Sequence, residues 1–396
     1  MVERLESPLS PFWERKSLSS KAHNVAGSPL ARVPMNQRTQ RGEAHVKYYT
    51  TATEYNCGID LHADQMYVCI LDPKGQVLVH RNVKGNDFGH FLKLAAPYRH
   101  DLTVVCECTF NWYWLADACA AAGIEFVLAH ALYLAHIHGG KNKNDRVDSE
   151  KLAHLLRTNL IPPAYVYPAE RRPMRALLRQ RLSYVWRRAE VLAHVSMKQS
   201  AEGLVPAAKS GHNRDVWEER ILAQYANPLH KFAVGCDMEV VRAYDRQIDR
   251  LDLEVARQAK KHLGRDYHLL LTVPGVGQVL GLTILFEMDA VARFPTAKDF
   301  LSYCRLVKGS VASAGKVKGL CGGKMGNAYL RWAFGEAAVL AKRSHPLLKP
   351  YAERLVAKHG KFRGNAILAA KMARAVYHML ESGTGFDAER VIATSI

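Results

Sequence analysis

The chain has 396 residues, 48% hydrophobic and 23% charged, with a formal net charge of +18. Its length implies two or three folded units, and its apolar content excludes a chain disordered throughout. Of the net charge, residues 169–396 carry +16 and residues 54–168 carry −2, so a surface suited to a polyanion belongs to the C-terminal part.

Residues 1–53 are rich in Ser, Pro, Arg and Gln without apolar periodicity, as in a flexible leader. From Tyr55 the texture changes. YNCGIDLH, MYVCILD and QVLVHRNV are short β-rich runs, the last two separated by Pro73-Lys74-Gly75, and they predict three hairpin-linked antiparallel strands. NDFGHFLKLAAPY predicts an amphipathic helix capped by Asn86 or Asp87. LTVVCEC then predicts a strand, WYWLADACAAAG a helix ending at Gly123, IEFVLA a strand and DRVDSEKLAHLLRTN a helix. The order β-β-β-α-β-α-β-α over 54–168 makes an α/β layer with a mixed sheet, which is the order of the ribonuclease H-like fold.

Over 169–264 strands give way to two long helical patterns, in the second of which Val240, Tyr244, Ile248, Leu251 and Val255 recur at helical spacing. They predict a basic antiparallel or coiled-coil arm. Residues 265–396 predict a helical C-terminal domain. Its opening run LLLTVPGVGQVLGLTILF approaches the roughly 18 to 20 apolar residues of a membrane span, but PGVG and polar residues interrupt it. With no secretory signal either, a cytoplasmic protein without membrane contact is expected. PGVG at 274–277 fits equally a phosphate-binding hairpin and a tight turn in a packed core. The eight cysteines form no CxxC pair and read as reduced, mostly buried thiols.

Asp60 lies in the first strand, where it shares a face with Gly58 and His62, and Glu107 lies within VVCEC. An ionised carboxylate on a central strand costs several kcal/mol unless something compensates it. Asp145 and Asp148 are three apart at a helix start and share a face, although Asp145 also suits a helix N-cap. Four clustered carboxylates repel one another, and Mg²⁺ or Mn²⁺ would relieve that repulsion in a phosphoryl-transfer site. The order Asp…Glu…Asp-x-x-Asp on this strand order resembles the Holliday-junction resolvase (RuvC-like) branch of the ribonuclease H superfamily. His62 and Asp64 stand near Asp60 without an assigned role.

The Gly/Ser/Lys-rich stretch 308–326 contains Ser310 and Ser313. Its residues leave open a phosphate-binding loop, a plain surface loop or a nucleophile. GIDLHAD, VVCEC, KNDRVDSEKLAHLLR, LLLTVPGVG and SAGK…KMGNAYLRWAFGEAA, in that order, resemble the IS110 family of insertion-sequence transposases, related to Piv-type invertases. The resemblance implies recombination of element ends and target DNA by a serine beside the acidic tetrad. It further implies a structured guide RNA from the element. Serine and tetrad need not belong to one subunit, and a dimer or tetramer would bring two DNA sites together. The matching serine is Ser313, with Ser310 as the weaker match, since Ala-Ser-Ala-Gly stands here where the family often has Ser-Ser-Gly or Ser-Gly-Gly.

Nucleic-acid contacts are expected from Lys141, Lys143 and Arg146 near the acids, and from Lys316, Lys318, Lys324 and Arg331 near the serine. Arg171, Arg172, Arg175, Arg179, Arg181, Arg187 and Arg188 crowd one helix with no acid between the first and the last, which predicts a cationic face for DNA or RNA. Tyr184 and Trp186 are candidates for base stacking, with core packing the favoured reading for Trp186. Two rival readings are a junction-type metal-dependent endonuclease using water and a non-catalytic nucleic-acid-binding protein.

Overall fold

The computed structural model describes residues 48–137, 144–206, 214–262, 264–313, 316–321 and 325–393. The leader expected over 1–53 lies outside the described residues as far as residue 47. From Tyr48 onward the chain is described, and the Tyr49 amide donates to the Ile161 carbonyl at 2.9 Å.

Strands β1 (Tyr55–Leu61), β2 (Gln65–Leu71) and β3 (Val77–Lys84) form an antiparallel meander. Helix α1 (Phe88–Ala95) follows, capped by the Asp87 carboxylate on the His90 amide, and leads to β4 (Leu102–Glu107). Helix α2 (Tyr113–Ala121), β5 (Glu125–Ala129), α3 (Ala131–Ile137) and α4 (Asp145–Arg157) complete the unit. The sheet order is β3-β2-β1-β4-β5, with β4 and β5 parallel to the β1 side, so β1 is central. Cys57, Ile59 and Leu61 face α1 and α2 in a core with Phe91, Leu115 and Cys119. The opposite face is covered by α4 through Leu152, Leu155 and Leu156. The helix comes so close because position 58 has no side chain: a Cβ there would stand 2.1 Å from the Ser149 carbonyl oxygen and 2.4 Å from the Ala153 amide.

Helices α5 (Arg172–Ala201) and α7 (Pro228–Ala259) form the arm, with α6 (Arg214–Ala223) between them in sequence. Ion pairs Arg181–Asp252, Arg188–Asp245 and Lys198–Asp237 show that the two long helices run antiparallel. Val195, Ile221, Val234 and Met238 make a small core around α6.

The C-terminal region contains α8 (Arg265–Leu271), α9 (Gln278–Met288) and α10 (Ala297–Tyr303). A two-stranded hairpin of β6 (Gly309–Ser313) and β7 (Lys316–Cys321) follows. Helices α11 (Ala328–Ser344), α12 (Leu348–His359), α13 (Lys361–Ser382) and α14 (Ala388–Ala393) close the unit. Phe286, Phe300, Phe334, Leu368 and Met372 lie at its centre. The PGVG turn belongs to this packing: Gly275 has φ +80°, and a Cβ there would stand 2.5 Å from the Ala337 carbonyl on α11. No described helix is long and apolar enough to cross a membrane.

Candidate active site and nucleic-acid contacts

Asp60 stands near the end of central strand β1, with its side chain one-fifth exposed. Ile59 pairs with Cys106, so Glu107, the next residue of β4, lies alongside Asp60 on the same sheet face, and it is half-buried. Helix α4 crosses that face at Gly58 and brings its first turn to the strand ends. The N-cap of α4 is Asn144, whose side-chain oxygen accepts from the Val147 amide at 2.8 Å. Asp145 is therefore free of the capping role that its position also suited.

His62 lies between the acids. Its Nε2 is 3.3 Å from a carboxylate oxygen of Asp60 and 3.3 Å from one of Asp145. One ligand atom each from Asp60, His62 and Asp145 lie within 4.8 Å of one another. Two carboxylates and an imidazole at that spacing fit a divalent cation, Mg²⁺ through its oxygens and Mn²⁺ through oxygens and nitrogen alike. Gln65 Nε2 donates to the second Asp145 oxygen at 3.3 Å, and Asn82 holds the Gln65 carbonyl at 2.9 Å. Asp148, one turn along α4, pairs with Lys151 at 3.2 Å and stands outside this trio. Burial pushes the Asp60 carboxyl above its ordinary 3.8; His62 opposes the shift, and the charges of Asp145 and Asp148 add to it. A cation would relieve such repulsion.

His62 is the residue that sequence reasoning left without a role. The available signal was its spacing: residues two apart on a strand share a face, and Asp60-x-His62 meets that condition.

The arginine run differs from expectation. Arg171 pairs with Asp289 at 2.9 Å, Arg172 with Asp117 at 2.7 Å and Arg175 with Glu287 at 2.9 Å. Arg179 also binds Glu287, Arg181 binds Asp252 and Arg188 binds Asp245. The reading of this run as a free cationic face is corrected: the acids missing from the local sequence arrive from α2, α7 and α9. Arg187 alone of the seven is exposed and has no ion pair among the described residues. Trp186 is also not in the core. It is 41% exposed and stacks on Tyr329 at 5.9 Å between ring centres. Tyr184 packs beside Tyr244 within the arm.

Glu287 organises the junction of arm and C-terminal region. Nearly fully buried, it also accepts from Asn327 Nδ2 at 2.7 Å, while Asn327 Oδ1 caps α11 on the Tyr329 and Leu330 amides. Burial alone would raise its pKa, but hydrogen bonds and charge from Arg179, Arg175 and Asn327 hold it below the ordinary 4.5.

The stretch expected to be a flexible basic loop contains the β6–β7 hairpin, in which Ser310 pairs with Leu320 and Ser313 with Lys316. The side chains of both serines, and Lys141, Lys143 and Lys324, lie outside the described residues. Lys316, Lys318, Arg146 and Arg331 are exposed.

Two family models match the chain. One, a DEDD transposase of the IS110 type, covers residues 57–198, and the other, described as the transposase IS116/IS110/IS902 family, covers residues 267–353. They fall in chain order on the acid-bearing sheet with helix α5 of the arm, and on the helical region with its hairpin. Together the two matches support an IS110/IS116/IS902 family transposase. A curated relative agrees: the transposase for insertion sequence element IS1111A of Coxiella burnetii (strain RSA 493 / Nine Mile phase I) is 23% identical over 332 residues, covering 82% of this chain and 88% of its own length. The protein is thus a transposase, an enzyme that cleaves and rejoins DNA, and its acidic cluster accords with the divalent-metal chemistry of the DEDD type.

Proposed function

We propose that this transposase recombines DNA through a composite site, with Asp60, Glu107, Asp145 and Asp148 on a RuvC-like sheet and Ser313 on the β6–β7 hairpin. The observation that carries the proposal is the meeting of Asp60, His62 and Asp145 at the end of the central strand, in an enzyme that cuts DNA. Asp60 and Asp145, with Glu107 and Asp148 beside them, would hold Mg²⁺ or Mn²⁺. A bound divalent ion supplies positive charge to a phosphate oxygen and to the displaced oxygen.

The protein's own step is an exchange of ester bonds. The Ser313 oxygen attacks the phosphorus, a P–O bond to serine forms, and the bond to the leaving deoxyribose oxygen breaks. The serine proton leaves to solvent and the departing oxygen takes one up. Attack by a strand hydroxyl on the phosphoserine reverses these changes and restores the serine. Lys316 and Lys318 on β7 and Arg331 on α11 are exposed cations suited to DNA phosphates, with Lys324 in the same stretch of sequence. Lys141, Lys143 and Arg146 would serve the acidic half. A guide RNA encoded by the element would pair with element ends and target, and a dimer or tetramer would bring two DNA sites together.

Trapping a covalent protein–DNA adduct tests the mechanism. The adduct should disappear in Ser313→Ala and persist in Ser310→Ala. Undiminished cleavage by Ser313→Ala would instead establish a nuclease using water. Asp60→Asn should lower metal-dependent cleavage by a factor on the order of 100 to 1,000.

A further inference from the structure

Phe110 is the most exposed large hydrophobic side chain among the described residues, at 82%. It stands in the connection between β4, which ends on Glu107, and α2. Three residues from Glu107, its Cα is within about 11 Å of that residue's Cα. The connection is braced rather than loose. The Cys108 amide donates to the Ala129 carbonyl at 2.9 Å and the Thr109 amide to the Glu107 carbonyl at 2.8 Å. Thr109 Oγ1 donates to Asn111 Oδ1 at 3.0 Å, and Asn111 Nδ2 donates to the His62 carbonyl at 2.7 Å. Trp112 is buried immediately afterwards. The residue that follows Phe110 thus grips the backbone of His62, whose ring lies between Asp60 and Asp145.

Core packing does not account for this phenyl group, because Trp112 and Leu115 already fill the core beneath the connection. A large aromatic surface held in water on a fixed loop is suited to a flat apolar partner. Beside a site that cleaves DNA, that partner is a nucleobase face. In a duplex such faces are covered by neighbouring bases, so contact requires one base step to open. We infer that Phe110 stacks on a DNA base next to the phosphate held at the acidic site, wedging one step open so that the strand bends toward Asp60 and Asp145. This rests on the reading of the acidic cluster as a DNA-cleavage centre.

Permanganate oxidation of unstacked thymines tests the inference. The full chain carrying Asp60→Asn, which keeps DNA uncleaved, is bound to duplexes spanning the element's end and flank, with thymine walked through the junction. One or two positions should become reactive. Adding Phe110→Ala should lower that reactivity by about tenfold while affinity falls no more than about threefold, since phosphate contacts dominate binding; Phe110→Trp should keep it. With Asp60 intact, Phe110→Ala should slow cleavage of paired duplex by about tenfold but not of a duplex mismatched at the reactive step. Equal reactivity with and without Phe110, no reactivity in either, or a cleavage defect that the mismatch does not rescue overturns the inference. Cleavage by Asp60→Asn at the wild-type rate overturns the reading of the acidic site and the wedge built on it. That failure is distinguishable because the footprint is read without cleavage.

Discussion

A Cβ built at Gly58 would stand 2.1 Å from the Ser149 carbonyl oxygen and 2.4 Å from the Ala153 amide, both backbone atoms of α4. Backbone cannot turn aside as the end of a flexible side chain can, so Gly58→Ala must push α4 off the sheet. The expected cost is about 3 kcal/mol, read as a lowered urea midpoint. Displacing α4 also carries Asp145 away from Asp60, so Mn²⁺ affinity measured by calorimetry should fall at temperatures where the variant remains folded. Asn144→Ala acts on the same helix more gently. Loss of the 2.8 Å cap costs about 1 kcal/mol and leaves Asp145 as the nearest acceptor for the exposed amides. An Asp145 drawn into capping is withdrawn from the site. Mn²⁺ affinity should therefore drop, whereas Asn144→Ser, which restores a cap, should recover it.

At the scale of elements, Glu287 of α9 ties α5 to the start of α11 through Arg175, Arg179 and Asn327. Glu287→Ala leaves two largely buried guanidinium groups without their counter-ion, which costs about 3 to 5 kcal/mol, measurable by urea unfolding. The pH dependence has a definite sign. The folded-state pKa is depressed below 4.5, so the stabilisation is fully present above about pH 4.5 and is lost as pH falls through the lower folded value. Acid unfolding of Glu287→Gln should accordingly lack that part of the wild-type loss below about pH 4.5. This network also marks the limit of what the sequence disclosed. The strands from Tyr55 and the paired arm helices were legible because period-2 and period-3.6 patterns are local. The partners of the arginine run were not, because Glu287 is 112 residues from Arg175 and Asp252 is 71 from Arg181. Asp60 was legible as a costly strand carboxylate, whereas the place of His62 between Asp60 and Asp145 depends on α4, which brings Asp145 to the strand end from 85 residues further along the chain. The β6–β7 hairpin was hidden by its glycines, serines and lysines, which resemble loop composition even though its strands pair.

For the whole molecule, the correction to the arginines changes where the +18 charge can act. An arginine already bonded to a buried carboxylate has few donors left for phosphate and holds no counter-ion cloud for DNA to displace. An exposed lysine or arginine without such a pair retains both. The salt dependence of DNA binding separates the two, because each phosphate contact contributes about 0.9 to the slope of log K against log salt. Replacing Lys316, Lys318 and Arg331 together by Gln should reduce that slope by about 3 and leave thermal stability nearly unchanged. Arg175→Gln should do the reverse, lowering the melting temperature through the loss at Glu287 while leaving the slope as it was. Both are measured on one nonspecific duplex in metal-free buffer, so neither depends on cleavage, target sequence or RNA. If Arg175→Gln lowered the slope as much as removal of an exposed lysine, the arm would have to open on binding and release its internal pairs to the phosphates. The same unpairing would then free Glu287 and loosen the start of α11, linking DNA binding at the arm to movement of the hairpin that carries Ser313.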